Sequence, residues 1–234
     1  MSVTLLDIRT RVLEPIDAIE AISNNDDAMY SVAEVNRYIN EGIKKAEAMI
    51  HNIYEDYFLS YAFFNIVSGT SEYQLPSDIY ANKIRTILFD NGSDKYVVRK
   101  HKHLEKLLDV EIGDHYKYLL LNKAGVGTKF KFTPTPNFSS NSTIAIYYIR
   151  EAAKLETDGD ELDIPEFADF VVLYARKECL KKQIGNPMLL DCKAELKEEG
   201  QAMVDTLSTM IPDQDYTLEV DTSFYEDFYN TELL

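Results

Sequence analysis

A long amphipathic helix near the N-terminus constrains the fold of this chain more than any other feature. Ser31 can cap its first turn, and Glu34, three residues on, can reach back to the Ser31 backbone in a capping box. Apolar residues then recur every three or four positions, at Val32, Val35, Ile39, Ile43, Ala46, Ile50 and Ile53. This spacing predicts one helix from Val32 to about Glu55, which at 1.5 Å per residue is about 35 Å long. Such a helix can span a domain and still present a second face to a neighbour.

Helical spacing also marks the first residues and the region after residue 163. Near the N-terminus an apolar stripe runs through Leu5, Ile8, Val12, Ile16, Ile19 and Ile22. Pro15 lies inside it, and because proline lacks an N–H, two short helices or one kinked helix are expected. Further on, a helix opening at Pro165 and another from about Met188 to Met210 flank Gly185-Asn186-Pro187. This short breaker predicts an antiparallel helical hairpin.

The middle of the chain, residues 57 to 150, has the pattern of β-structure. Alternation and a high aromatic content predict a first strand. One of its faces carries Leu59, Tyr61, Phe63, Asn65 and Val67. Asn91-Gly92 and a glycine-containing turn at 123–128 each separate two apolar runs, so both predict hairpins. With a last strand over Thr143–Arg150, these six or so strands indicate a small antiparallel sheet or sandwich.

The net charge narrows the range of functions that this chain can have. The 234 residues include 24 Lys and Arg against 40 Asp and Glu, a net charge of −16, and 45% hydrophobic residues argue against global disorder. The acidity argues against a general nucleic-acid binder, because affinity for phosphates comes from clustered Lys and Arg. It does not exclude a protein that lets DNA pass without binding it. Signal-peptide and membrane-helix patterns are missing from the sequence, so we expect a chain made in, and soluble in, a cytoplasm.

The chemically reactive side chains form no recognisable catalytic set. His101 and His103 make an H-x-H pair without a third ligand, and the acidic loop Asp158–Asp163 has its glycine at the second position instead of the sixth of a calcium loop. For the histidine pair and for the acidic loop, a solvated surface role is favoured over metal binding. Cys179 and Cys192 fit small buried hydrophobes, so no disulfide is expected. We predict no enzyme activity, cofactor or metal. A cytoplasmic metal-dependent hydrolase that uses the scattered carboxylates is the alternative, and bound metal that is lost on changing Asp160 or His101 would support it.

The last 22 residues lose helical periodicity and combine acids with aromatics. They carry seven acids and no Lys or Arg, and their aromatic residues are Tyr216, Phe224, Tyr225, Phe228 and Tyr229. Acids alone are typical of a solvating tail, whereas exposed aromatics make good interface anchors. We therefore predict that these five residues bind a partner, with an idle tail as the alternative.

Four motifs, in order, give the chain a resemblance to a known family. The first is Asn40-Glu41-Gly42-Ile43 in the long helix, ahead of the aromatic strand. The second is a G-x-x-x-Y-x-L-P-x-D turn over residues 69–78. The third, Phe132-Thr133-Pro134-Thr135-Pro136, precedes a strand containing Tyr147-Tyr148, and the fourth, Ile164-Pro165-Glu166-Phe167, opens a helix. Over about residues 30 to 210 the chain resembles the head–tail adaptor (connector) proteins of tailed bacteriophages, particularly the tail-tube or gatekeeper-ring type.

The resemblance implies an α+β fold in which a long-helix bundle (residues 1–56 and 164–211) packs beside a small antiparallel β-domain (57–163), with an extended arm (212–234). It also implies a structural virion protein at the head–tail junction, assembled in the host cytoplasm. Subunits of this family form a ring, usually of twelve, beneath the portal. The ring extends the DNA channel, lets DNA pass without specific binding, and provides the attachment surface for the next tail component. No membrane is involved.

Two further interpretations stay open: another ring or hub component of the phage tail, and a non-viral protein-interaction module.

The net charge of the chain agrees with a channel through which DNA passes. Twelve copies of a −16 chain carry −192, which repels DNA phosphates where enough of it faces a channel. The acidity that argues against a nucleic-acid binder therefore agrees with a passage for DNA.

Overall fold

The computed structural model describes residues 2–18, 29–92, 95–101, 116–123, 127–137, 142–183 and 185–210. The helices of these ranges are α1 (Leu5–Leu13), α2 (Val32–Ile53), α3 (Ala168–Leu180) and α4 (Met188–Met210). The strands are β1 (Leu59–Ile66), β2 (Glu72–Gln74), β3 (Ile79–Asp90), β4 (Lys95–Val97), β5 (Arg99–Lys100), β6 (Lys117–Lys123), β7 (Gly127–Thr133) and β8 (Ser142–Arg150). Helices from both ends of the described chain and strands from its middle confirm the predicted α+β class.

Helix α1 ends where its proline predicts. A 3₁₀ turn, Glu14–Ile16, follows Leu13 and contains Pro15, while Ile19 and Ile22 lie outside the described residues. The start of the helix has a capping box that the sequence analysis did not identify. The Asp7 N–H donates to the Thr4 hydroxyl at 3.2 Å, and the Thr4 N–H donates to the Asp7 carboxylate at 3.0 Å. A polar capping box thus fixes the start of the first apolar stripe, and the turn at Pro15 ends its helix.

Helix α2 begins as predicted, but only half of its predicted capping box forms. The Ser31 hydroxyl accepts from the Glu34 N–H at 3.2 Å. The Glu34 carboxylate does not reach back to Ser31, because it accepts from the Tyr38 hydroxyl at 2.9 Å and from the Lys182 ammonium at 2.8 Å. These contacts join the first turn of α2 to the residues just after α3. Tertiary contacts have therefore overridden a local capping pattern.

Helices α3 and α4 pack on α2 and enclose the larger core. The Cys192 thiol donates to the Leu173 carbonyl at 3.5 Å, and Gly200 lies against Phe170, so α4 runs back along α3 as the hairpin prediction requires. Close approach of α2 and α3 depends on Gly42. A Cβ there would stand 3.2 Å from the Val171 carbonyl oxygen. The apolar stripes of all four helices meet in this core.

The strands form two four-stranded sheets that face one another, which is the sandwich form of the β prediction. Sheet one has the order β1-β8-β3-β4, and sheet two has the order β2-β7-β6-β5. All pairings are antiparallel except the short one between β5 and β6, which is parallel and corrects the purely antiparallel expectation. The second core lies between the sheets and includes Ile87, Phe89, Phe130, Phe132, Ile144 and Ile146.

Both predicted hairpins are present. Asp90 pairs with Lys95 across the Asn91-Gly92 turn, and Lys123 pairs with Gly127 across residues 124–126. Those three turn residues lie outside the described residues.

The motifs that carry the family resemblance hold the junctions between elements. The Asn40 side chain bonds both the N–H and the carbonyl of Leu155, each at 2.9 Å, and so binds α2 to the loop after β8. The Tyr73 hydroxyl accepts from the Val67 N–H at 2.9 Å and closes the turn after β1. Asp78 accepts from the Tyr148 hydroxyl at 2.9 Å. These side chains therefore have structural roles, because each one joins neighbouring elements by hydrogen bonds.

Candidate interaction surface

The outer side of sheet one is a continuous apolar surface. Strand register aligns Phe63 with Ala145, Ala145 with Leu88, and Leu88 with Val97, so one row crosses all four strands. A second row pairs Tyr61 with Tyr147. We call this surface the aromatic face and define it as Leu59, Tyr61, Phe63, Leu88, Val97, Ala145 and Tyr147.

Five of its seven side chains are exposed, while Ala145 and Tyr147 are half-buried. Phe63 is 69% exposed, Tyr61 59% and Val97 51%. The Tyr61 and Phe63 rings meet edge to face with centroids 5.3 Å apart, and the Tyr61 and Tyr147 rings lie 6.0 Å apart. Contiguous exposed apolar surface of this kind marks an interaction site more often than single exposed residues do. Rings held on paired strands lose little freedom on binding, because the sheet has already ordered them.

Strand alternation explains why this face exists. Phe64, Ile144 and Phe89 point between the sheets, so the side chains in between must point outward. In an ordinary half-exposed antiparallel sheet those outward positions are polar. The predicted alternation of β1 is confirmed, but the face with Leu59, Tyr61 and Phe63 is the exposed one. The aromatic face was missed in the sequence, although apolar residues at both parities of β1 and β8 were a signal for it.

A basic groove adjoins the aromatic face where β4 leads into β5. The groove is lined by Arg85, Thr86, Val97, Val98, Arg99, Lys100, His101 and Tyr118. The Arg85 guanidinium is already paired with Glu55 at 2.5 Å and with Asp56 at 2.6 Å. Hydrogen bonds from Lys83 and Arg85 lower the pKa of Glu55, so this carboxylate stays charged.

Arg99 and Lys100 supply the groove with positive charge that no described acidic residue pairs with. Both are exposed, and neither forms an ion pair with any residue that the structure describes. Arg99 lies in register with Lys117 on the parallel neighbour, so two cations stand side by side at this sheet edge. In a chain of net charge −16, the groove is a local positive site. It can attract an anionic group or segment.

The residues predicted to bind a partner are not among those that the structure describes. Tyr216, Phe224, Tyr225, Phe228 and Tyr229 all lie outside the described residues, as do His103 and His115. Of the H-x-H pair, only His101 is described, and it lines the groove. The five aromatics of the arm therefore stay a prediction.

The acids of the loop at 156–163 bind neighbouring protein groups. Asp158 pairs with the buried Arg9 guanidinium at 2.7 Å, and Asp163 pairs with Arg150 at 2.6 Å. The Asp160 carboxylate accepts from the Thr157 hydroxyl and from two backbone N–H groups, and these bonds lower its pKa. Across the described residues, no cluster of three or more His, Cys, Asp or Glu could hold a metal ion. The loop thus has a structural use for its charge, as the solvated-turn interpretation allows.

Both cysteines are buried free thiols in the helical core. Burial raises the pKa of Cys179 to about 12 and also raises that of Cys192. A thiol that stays protonated is a poor nucleophile and a poor metal ligand.

Of the helices that the structure describes, none has the length and apolarity to cross a membrane.

The described residues combine a helical layer with a two-sheet sandwich that exposes an aromatic face beside a basic groove. An exposed apolar surface of this kind is typical of proteins that contact other proteins. Comparison with protein families gives the class a name. The family model described as SU10 adaptor protein matches residues 3–219, and the chain belongs to this family of structural phage adaptor proteins. No curated protein matches the chain. Family membership places the protein in the virion and implies contacts with other head or tail proteins.

Proposed function

We propose that this protein is a head–tail adaptor subunit that docks as a ring on the phage portal. The ring extends the DNA channel and gives the next tail component its attachment surface. The observation that carries the proposal is the family match over residues 3–219. The aromatic face supports it, because a protein that acts alone has little use for a continuous apolar sheet surface.

In this proposal the parts of the chain have separate tasks. The bundle (residues 1–56 and 164–211), with α2, α3 and α4, faces the portal or lines the channel. The β-domain (57–163) presents its hairpin loops around Asn91 and Gly125 to the tail-side partner. The arm (212–234) docks through its five aromatics, named above. A ring of about twelve follows the resemblance described above, and the aromatic face supplies contact between copies.

The acidity fits the passage of DNA. Phosphates are repelled by a channel wall that carries net negative charge, so a genome can slide through without binding. Arg99 and Lys100 are exceptions that we assign to a protein contact, as argued below. The ring therefore needs no catalytic group, no cofactor and no metal in order to work.

The first experiment asks whether the aromatic face is needed for the protein to assemble on the portal. Phe63→Ser removes an exposed ring without opening a cavity, so the chain should fold, while binding to purified portal protein should weaken about tenfold or more. The measurement is the number of copies bound per portal against concentration, by native mass spectrometry. Asn65→Ser is the matched control, since Asn65 lies on the same face of the same strand but adds no apolar surface. Equal binding by wild type and Phe63→Ser would reject a role for this face.

A position elsewhere in the tail is the second candidate, because the same fold suits another ring or hub component. It is distinguished by the partner. A chain that ignores isolated portal but binds an assembled portal–adaptor complex belongs further along the tail. Gene order beside the portal and terminase genes gives the same distinction.

A further inference from the structure

The composition of the segment after Met210 indicates what kind of surface can bind it. Residues 211–234 carry seven acids and no Lys or Arg, together with five aromatic residues between 216 and 229. At about 3.3 Å per residue, 24 residues reach up to about 80 Å from the end of α4. That length is enough to reach an adjacent subunit. A surface for this segment must offer both apolar area and positive charge.

Among the described residues, the aromatic face and the basic groove together offer both. Val97 belongs to each of them, so the two surfaces are continuous. On one side of Val97, a shallow depression is lined by Phe63, Leu88 and Tyr147. On the other side, Arg99 and Lys100 stand exposed. One extended segment can therefore place rings on the first side and carboxylates on the second.

The charge of the surrounding sequence strengthens this match. Residues 95–131 contain nine Lys and Arg and four Asp and Glu, a net charge of +5 in a chain of −16. The last 24 residues carry −7. The most basic stretch and the most acidic stretch are thus separate in sequence, and the groove displays part of the former. Complementary charges of this kind speed encounter and fix orientation.

We propose that the arm of a neighbouring copy binds across the aromatic face and the basic groove. Its residues 213–229 place aromatic side chains against Phe63, Leu88 and Tyr147, and carboxylates against Arg99 and Lys100. Each copy then gives one arm and receives one, which is a head-to-tail contact that closes into a ring. That a neighbouring copy is present depends on the ring assembly proposed above. The pairing of arm and groove rests on the composition and the surface described here.

Nucleic acid is a poorer occupant of the same surface. Arg99 and Lys100 would suit phosphates, but an exposed apolar sheet lies beside them, and the whole chain repels DNA by its net charge. The arm satisfies the apolar half and the basic half at once. DNA binding is therefore an outcome that the experiment must be able to detect.

A charge exchange in the full-length chain tests the pairing. Arg99→Glu with Lys100→Glu should reduce the protection of amides 213–229 from hydrogen exchange at least tenfold, measured at high protein concentration and low salt. Adding Asp221→Lys and Glu226→Lys should restore that protection, because the charges are complementary again. Lys193→Glu with Lys197→Glu is the matched control, since it makes the same charge change on the exposed side of α4 and should leave the protection unchanged. Equal protection in wild type and the groove variant would overturn the proposal. So would a groove variant that loses binding to a 30-base-pair duplex while its arm stays protected.

Cross-linking shows which copy supplies the arm. An unlabelled (light) chain with Val97→Cys is mixed with a ¹⁵N-labelled (heavy) chain with Tyr225→Cys. The mixture is then treated with a short bismaleimide. Cys179 and Cys192 are buried with raised thiol pKa values, so the reagent meets the introduced cysteines. Light-to-heavy links support the proposal. In a separate sample, a chain that carries both introduced cysteines reports links within one molecule. Such links, together with an absence of light-to-heavy links in the mixture, overturn the proposal. Ring formation on the portal is scored separately, so a ring without these links rejects the arm site and leaves the adaptor function standing.

Discussion

His51 shows how one buried side chain couples the helices to the sandwich. It lies in α2 with its ring centroid 3.9 Å from that of Tyr80 and 5.4 Å from that of Phe58. Burial lowers the pKa of His51, and Lys83 adds to this, while Glu55 opposes it. A Glu47 carboxylate oxygen stands 3.8 Å from Nε2, and burial raises the pKa of Glu47. The imidazole is therefore neutral in the folded protein at pH 7.

The lowered pKa of His51 predicts a loss of stability in mild acid. Below its ordinary pKa of 6.5 the unfolded chain takes up a proton that the folded chain refuses, so the free energy of unfolding falls as pH falls. The slope from this group reaches up to about 1.4 kcal/mol per pH unit. Glu47 acts in the opposite direction, because a raised carboxyl pKa favours the folded state as pH falls.

His51→Phe should flatten this profile, since it keeps an aromatic ring against Tyr80 and cannot be protonated. Urea unfolding of both chains between pH 7.5 and 5.5 measures the effect, and Glu47 is present in both. Parallel stability curves for the two chains would show that His51 does not titrate in this way.

Among the elements, α2 was predicted most closely from sequence. Its start at Val32 and its apolar stripe depend on local spacing, and its end at Ile53 lies two residues before the predicted Glu55. Glu34 was predicted wrongly because Lys182, far along the chain, competes for its carboxylate. The hairpins were predictable from their turn residues. The parallel β5–β6 pairing was not, because the chain crosses from sheet one to sheet two between β4 and β5, and only this crossing brings Arg99 beside Lys117.

The cap of α2 should contribute measurably to stability. Ser31→Ala removes the acceptor of the Glu34 N–H and should cost about 1 kcal/mol in the free energy of unfolding. Ser208→Ala, on exposed α4, removes only a bond to the Val204 carbonyl and should stay within about 0.5 kcal/mol of wild type. Chemical denaturation of the three chains makes the comparison. Equal losses for both variants would indicate that the cap does not hold the helix.

The candidate site was less predictable than the fold. The sequence drew attention to the arm through its composition, and its five aromatics lie beyond the described residues. The aromatic face became visible only when strand register placed Phe63, Leu88 and Val97 in one row, since those residues come from three separate strands. Arg99 and Lys100 likewise read as two basic residues in a Lys-rich stretch until the groove placed them beside that row.

For the whole molecule, fold, family and charge converge on an adaptor. The helical layer and the sandwich each have a core of their own, and side chains such as Asn40 and Glu47 join them through hydrogen bonds to the backbone of Leu155 and Ala152. A subunit held together in this way can present one surface to a neighbour and another to the portal. The net charge of −16 agrees with the proposed role as a wall of a DNA channel, because it repels phosphates.

Cryo-electron microscopy of the full-length protein mixed with its portal protein tests this proposal most directly. We predict a closed ring of about twelve copies seated on the portal, coaxial with the DNA channel, with the aromatic face of each copy covered. A protein that stays monomeric and leaves the portal bare would contradict the adaptor function proposed here.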